Sequence, residues 1–159
     1  MIRDHRHIER VLAALESLLD SKQKGRNWDV ADSRALEVLT GALSREQCRH
    51  MRKEDEVLFP FLEKFLPGDS GPLMVLRGEH QDLSGGLRNV VQAGGLLLQD
   101  GHASQASRDL QCFGRKTIQG FRDHIYKEDR VLFPMVERFL SPDQDLPLLR
   151  RMENIQCGG

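Results

Sequence analysis

The chain has 159 residues and charged residues make up 30% of it, with Lys plus Arg at 23 and Asp plus Glu at 24 for a formal net charge of -1. That length suits one domain with a single core, and the charge balance excludes a basic footprint for nucleic acid or a polybasic membrane patch. No apolar run approaches the ~20 residues that span a bilayer, and Met1-Ile2-Arg3-Asp4-His5 has no signal-peptide character.

Apolar residues recur at helical spacing in four segments parted by turn-rich stretches. The first carries His5, Ile8, Leu12, Leu15 and Leu19 and fades between Ser21 and Asp29. The second starts near Asp32 or Ser33, either of which could cap it. Its stripe runs through Leu36, Leu39, Leu43, Glu46, His50, Glu54, Val57, Phe61 and Phe65 and stops at Pro67-Gly68-Asp69-Ser70-Gly71-Pro72. The third carries Leu73, Leu76, His80, Leu83, Leu87, Val90, Gly94 and Leu97; its paired glycines, Gly85-Gly86 and Gly94-Gly95, are its weakest points as a helix. The fourth starts near Ser104 and carries Leu110, Phe113, Thr117, Phe121, His124, Glu128, Val131, Met135 and Phe139. Pro60 and Pro134 stand near the ends of the second and fourth patterns and predict a kink or a helix end there. Nothing alternates with the period of a strand.

The second and fourth segments are copies. His50 to Leu66 aligns without gaps on His124 to Leu140, with 11 of 17 positions identical, among them the His, the Glu four residues later, and the Val-Leu-Phe-Pro run. The first and third correspond too, since Asp4-His5 lies 45 residues before His50 and Glu79-His80 lies 44 before His124. The expectation is an all-α, up-down-up-down four-helix bundle built from a duplicated helical hairpin. It forms one domain over 1–159, with the bundle at about 2–140 and a C-terminal extension at 141–159.

Each core stripe carries one histidine, and two carry a glutamate four residues further on, where a bundle interior ordinarily excludes charge. Four helical residues advance ~6 Å and turn by about 40° net, so His50 with Glu54, and His124 with Glu128, aim at a common point. The helical runs flanking the first turn are roughly 24 and 27 Å from their histidines, and those flanking the third roughly 27 and 30 Å. Within each hairpin the two histidines therefore come out nearly level. Four imidazoles and two carboxylates at one depth suit a pair of borderline-hard cations, bridged by the glutamates, and open coordination positions favour iron over closed structural zinc.

The string His-x-x-x-Glu-Asp-x-Val-Leu-Phe-Pro, present twice and each time preceded by an Asp/Glu-His helix, resembles the hemerythrin-like cation-binding (HHE) domain over about residues 2 to 140. The resemblance implies two iron ions, for which zinc or another divalent metal could substitute. It implies His5, His50, His80 and His124 as terminal ligands and Glu54 and Glu128 as bridges. The ligand pattern is most similar to the di-iron domain of bacterial repair-of-iron-centres proteins, which also carry an N-terminal cysteine-containing domain not found in this sequence. The chain departs from the five-histidine oxygen carriers, because Leu76 and Ser84 stand where a His-x-x-x-His pair would fall around His80. Asp129, at the carrier's carboxylate spacing, lies about 140° round an ideal helix from His124, against about 40° for Glu128.

The expected function is binding or reducing a small diatomic or peroxide (oxygen, peroxide or nitric oxide), in the cytoplasm and without nucleic acid or membrane. The alternative is an oxygen or iron sensor, carrier or iron donor without turnover. Glu46, one turn before His50, and Glu79, beside His80, could stand behind the site or be surface charges; Glu9 and Asp129 are spare ligand candidates. His7 and His102 are expected in solvent, and Trp28 and Tyr126 in packing roles. Cys48, Cys112 and Cys157 are odd in number and scattered, which does not read as a disulfide framework; Cys48 and Cys112 are expected as small core or boundary residues.

Overall fold

A computed structural model of the chain describes residues 1–23, 27–66, 71–99 and 103–157. His102 and most of the Pro67–Pro72 turn lie outside the described residues. Four long helices form the bundle: α1 (Ile2–Gln23), α2 (Val30–Lys53), α4 (Pro72–Gly95) and α5 (Ala103–Lys127). Shorter segments continue them: α3 (Phe59–Leu62) after α2, α6 (Phe133–Phe139) after α5, and α7 (Pro142–Glu153) at the C-terminal end. No strand occurs among the described residues. α1 packs on α2 and α5, and α4 packs on the same two, so the helices stand in a square in chain order.

Helix α2 begins two to three residues earlier than its pattern suggests. Asp29 is the cap: its side chain accepts from the Asp32 backbone amide, and Asp32 returns the bond to the Asp29 amide. This reciprocal arrangement satisfies two amides that an α-helix leaves unpaired. Asp32 also pairs with Lys22, which is buried at the end of α1, and so ties the first turn together.

Helix α4 runs through Gly78, Gly85 and Gly86 without a break. At Gly86 the reason is contact: a Cβ there would stand 2.7 Å from the Thr117 hydroxyl oxygen of α5. A missing side chain lets α4 and α5 approach closely.

The prolines act differently from the expected kink. Between α2 and α3 lies one π-helical turn, Glu54–Leu58, and between α5 and α6 its copy, Glu128–Leu132. Phe59 N–H bonds Glu54 O and Phe133 N–H bonds Glu128 O, five residues back in each case. Each wide turn takes up one extra residue; the second slips the apolar stripe by one, whereas Val57 and Phe61, in and after the first, stay buried as expected. Leu132 and Val136 are therefore the buried residues, while Val131, expected in the core, is 47% exposed. Phe65 is likewise turned outward, at 45%.

The core comes in two parts. One is a leucine-rich cluster including Leu12, Leu15, Leu43, Leu87, Leu110 and Phe121; the other includes Val57, Phe59, Leu62, Leu73, Leu132 and Val136. Each fully buried aliphatic or aromatic side chain contributes about 1.5–3 kcal/mol. Between the two clusters lies a buried polar layer.

The C-terminal extension is integral to this packing. Ser141 and Gln144 form a reciprocal cap that starts α7, and Leu148 and Met152 enter the second core cluster. Cys157, beyond α7, is disulfide-bonded to Cys48 of α2, with Cα atoms 6.2 Å apart. The reading of the cysteines as no framework is thus corrected: a spacing of 109 residues conceals a pair that only the fold brings together. Cys112, expected at the core or its boundary, is exposed. Tyr126 is also outside the packing, at 65% exposure, with Arg130 over its ring.

Candidate metal centre

The polar layer is formed by His5 from α1, His50 from α2, Glu54 from the first π-turn, His80 from α4, His124 from α5 and Glu128 from the second π-turn. All six are buried, and both glutamates are 0% exposed. α1 offers its histidine near its start and α2 near its end, so the antiparallel hairpin levels them; α4 and α5 repeat the arrangement.

Donor atoms crowd one another. His5 Nε2 lies 2.9 Å from His50 Nε2 and 2.8 Å from Glu128 Oε2, which is 3.2 Å from His50 Nε2. On the other side, His124 Nε2 is 2.7 Å from Glu128 Oε1, and His80 Nε2 is 3.3 Å from Glu54 Oε2. Two groups can each surround a cation with atoms within 4.8 Å of one another: Glu54, His80, His124 and Glu128; and His5, His50 and Glu128. Glu128 belongs to both. His50 Nε2, at 3.6 Å from Glu54 Oε2, brings the second carboxylate next to the second group as well.

Hydrogen bonding accounts for only part of these contacts. Both Glu54 carboxylate oxygens, Glu128 Oε1, His80 Nε2 and His124 Nε2 are buried without a hydrogen-bond partner. His124 Nε2 and Glu128 Oε1 stand 2.7 Å apart without forming a hydrogen bond. An unpaired buried carboxylate is costly. A cation seated among these atoms removes that cost, so the donor set fits a metal.

The electrostatics carry the same asymmetry. Burial and the neighbouring Glu128 charge push the Glu54 carboxyl well above the usual carboxylate range. Glu128 is driven far below it: its burial is outweighed by the His124, His5 and His50 rings set against its carboxylate. Burial would depress His124, but Glu128 and Glu79 together raise it.

A second ring of carboxylates faces the outer nitrogens of the histidines. Asp129 Oδ1 is 2.8 Å from His5 Nδ1, Glu79 Oε2 is 2.9 Å from His124 Nδ1, and both Asp55 oxygens are 3.1 Å from His80 Nδ1. With a carboxylate accepting, Nδ1 carries the proton and Nε2 turns its lone pair inward, the arrangement that orients imidazoles on metals. Asp4 stands 3.8 Å from His50 Nδ1, too far for a hydrogen bond, and is held instead by Lys53 at 2.6 Å. The pattern obeys the repeat: Asp4 and Glu79, before the histidines of α1 and α4, each bond a side chain of the next helix, and Asp55 and Asp129, after the glutamates, each bond a histidine of the adjacent helix in the other hairpin. Phe133 and Phe59, also repeat partners, stack on His5 and His80.

Of the two acids considered as supports, Glu79 touches the site. Glu46 pairs with Arg49 and lies 3.8 Å from His7, which is half exposed. Glu9 lies 3.7 Å from Arg122 on the outside of the bundle. Asp129 reaches His5 rather than the space between the glutamates. Asp55 and Asp4 were not singled out in the sequence, although Asp55 stands at the repeat position of Asp129 and Asp4 at that of Glu79.

The sequence model described as the hemerythrin HHE cation binding domain matches residues 1–136. The chain belongs to that family. Among curated relatives, the iron-sulfur cluster repair protein YtfE of Yersinia pseudotuberculosis serotype IB (strain PB1/+) is 29% identical over 106 residues, which are 66% of this chain and 48% of that protein. The protein of the same name from Yersinia pestis (strain Pestoides F) aligns with the same identity and coverage. The chain spans about half the length of the curated relatives it matches. Family, relatives and the buried His/Glu cluster together make this hemerythrin-type chain a metal-binding, iron-related helical bundle. No helix among its described residues is long and apolar enough to cross a membrane.

Proposed function

We propose that the cluster holds two iron ions and that the protein binds or reduces a small oxidant: oxygen, peroxide or nitric oxide. The observation that carries this reading is Glu128, a fully buried carboxylate common to both donor groups, with His5 and His50 on one side and His80 and His124 on the other. In this reading His5 and His50 hold one ion and His80 and His124 the other. Glu128 and Glu54 would be shared between them, and zinc or another divalent ion could substitute for iron. Iron there supplies electrons to a small oxidant, a role imidazole and carboxylate ligands suit.

The chain's own residues orient and admit. Asp129, Asp55 and Glu79 keep the Nδ1 protons in place, so the inward nitrogens stay unprotonated. A groove of about 1050 Å³ between α2 and α4 reaches Asp55 and His80, and a diatomic or peroxide can approach through it. Gln47 stands in its wall, donating to the Ser84 hydroxyl at 2.7 Å. The reading sets the protein in the cytoplasm, with a small diatomic or peroxide as its ligand.

The name of the relatives, iron-sulfur cluster repair protein, supports a second reading, in which the site lends iron to an iron–sulfur protein without turnover. Anaerobic reconstitution with Fe(II), elemental analysis and optical titration with each oxidant separate the two. Two ions per chain and multiple turnovers with peroxide or nitric oxide are expected. One ion per chain refutes the paired centre; stoichiometric oxidation followed by iron transfer to an apo-cluster protein favours the donor.

A further inference from the structure

The groove between α2 and α4 contains a second chemistry, independent of what the histidines hold. Cys48 lines it, one face away from the buried layer, and Cys48 is the anchor of the disulfide to Cys157. Both cysteines are half-buried rather than enclosed, so the bond is within reach of a small molecule. The groove is bordered by Arg52, Arg77 and Arg88, with Asp55 as the one acidic wall residue among the described residues. Arg52 is engaged by Glu56, Arg77 by Glu63, and Asp55 by His80; Arg88 is exposed on the wall of the same groove that Cys48 lines.

The other end of the disulfide holds a short tail. α7 ends at Glu153, and Asn154 to Cys157 have left the helix. The tail is secured by Ile155 against the second core cluster, by Arg52 donating to Gln156 O, and by the Cys48 bond itself. α7 has its own anchors in Leu148, Met152 and its cap, so the tail can be released without the helix.

We propose that the Cys48–Cys157 disulfide is a thiol–disulfide exchange site that fastens the C-terminal tail at the end of the α2/α4 groove, and that its reductant is a small carboxylate-bearing thiol. The thiolate enters the groove and attacks Cys48 Sγ. A sulfur–sulfur bond forms to Cys48, the bond to Cys157 breaks, and Cys157 leaves as a thiolate that takes a proton from water. A second thiol of the same class attacks the mixed disulfide, which frees the Cys48 thiol and releases the small-molecule disulfide. Two thiols are oxidised and the protein disulfide is reduced by two electrons. Arg88 favours an anionic thiol over a neutral or cationic one, because its charge on the wall raises the anion's local concentration.

The test uses the full chain in a Cys112→Ser background, oxidised, with reduced glutathione, 2-mercaptoethanol and cysteamine as probes. Each exchange rate is divided by the same thiol's rate on a small model disulfide. Glutathione is expected to lead cysteamine on the order of threefold to tenfold, with the lead shrinking in high salt. Arg88→Ala should remove most of that lead while leaving the mercaptoethanol rate unchanged. In the Cys157→Ser variant, oxidised glutathione should leave a stable mixed disulfide on Cys48. Hydrogen exchange after reduction should quicken beyond Asn154 and leave α7 protected. Equal normalised rates for the three thiols, or a glutathione lead untouched by Arg88→Ala, overturn the anionic-thiol assignment. Two cysteines that alkylate fully without reductant, or a tail whose exchange is the same in both redox states, overturn the exchange site itself.

Discussion

Replacing Asp129 by asparagine isolates what a carboxylate behind a histidine contributes. Asp129 Oδ1 lies 2.8 Å from His5 Nδ1, and the opposite ring nitrogen faces Glu128 and His50. The amide oxygen of asparagine can still accept the Nδ1 proton but carries no charge, so the imidazole becomes a weaker donor to a cation. Loss of such a partner lowers metal affinity by about 10- to 100-fold, or ~1.4–2.7 kcal/mol. Asp129 is 40% exposed, and water screens its charge, which sets the expectation at the lower end, about tenfold. Glu79, nearly as close to His124 and only 22% exposed, should cost at least as much when changed to glutamine. Asp55→Asn, at 3.1 Å and 41% exposure, should cost no more than Asp129→Asn. Glu46→Gln should leave affinity unchanged. Anaerobic competition for Fe(II) against a chromophoric chelator reads all four. An Asp129→Asn protein that loses a whole ion would make Asp129 a ligand, and one indistinguishable from Glu46→Gln would sink the orienting role.

Glu54→Ala and Glu128→Ala should each abolish tight metal binding, because each leaves buried imidazoles around an undercompensated cation; elemental analysis of Glu128→Ala with full metal would contradict the bridging assignment. Metal occupancy should fall as pH drops through about 6.5, where free imidazole protonates and competes with the cation, as followed by dialysis at stepped pH. Asp32 is held below the usual carboxylate range: its burial is outweighed by the hydrogen bond from Lys22 and those at the α2 cap. A depressed folded value contributes stability that is present above the unfolded pKa of about 3.9 and lost as pH falls beneath it. Asp32→Asn should therefore flatten the acid limb of the denaturation curve. Gly78→Ala, with nothing within 4 Å of its added Cβ, should stabilise α4 by about 0.5–1 kcal/mol, whereas Gly86→Ala should destabilise by about 1 kcal/mol net as the Thr117 clash outweighs the same helical gain. Reducing the Cys48–Cys157 bond removes a 109-residue closure and should lower stability by up to ~4.8 kcal/mol in the chain-entropy account, measured by thermal melts with and without reductant.

The bundle, its duplication and the six converging residues were legible in the chain alone. Helical periodicity is a local property, and a histidine or glutamate on an apolar stripe stands out because burial penalises charge wherever it occurs. The repeat then supplied depth, since equal helix lengths on either side of a turn level the residues they carry. Four matters were decided only in three dimensions. The π-turns depend on which backbone bond competes best near Pro60 and Pro134, and the slip that exposes Val131 follows from them. Asp129, Asp55 and Glu79 act on histidines of other helices, so their partners lie 25 to 124 residues away and carry no local spacing. Gly78 and Gly86 look alike in sequence, and only the neighbouring helix distinguishes open space from the Thr117 side chain. Cys48 finds Cys157 because α7 folds back across the bundle's end. Local spacing can encode which face of a helix is apolar, but a contact between two faces belongs to the packing of both.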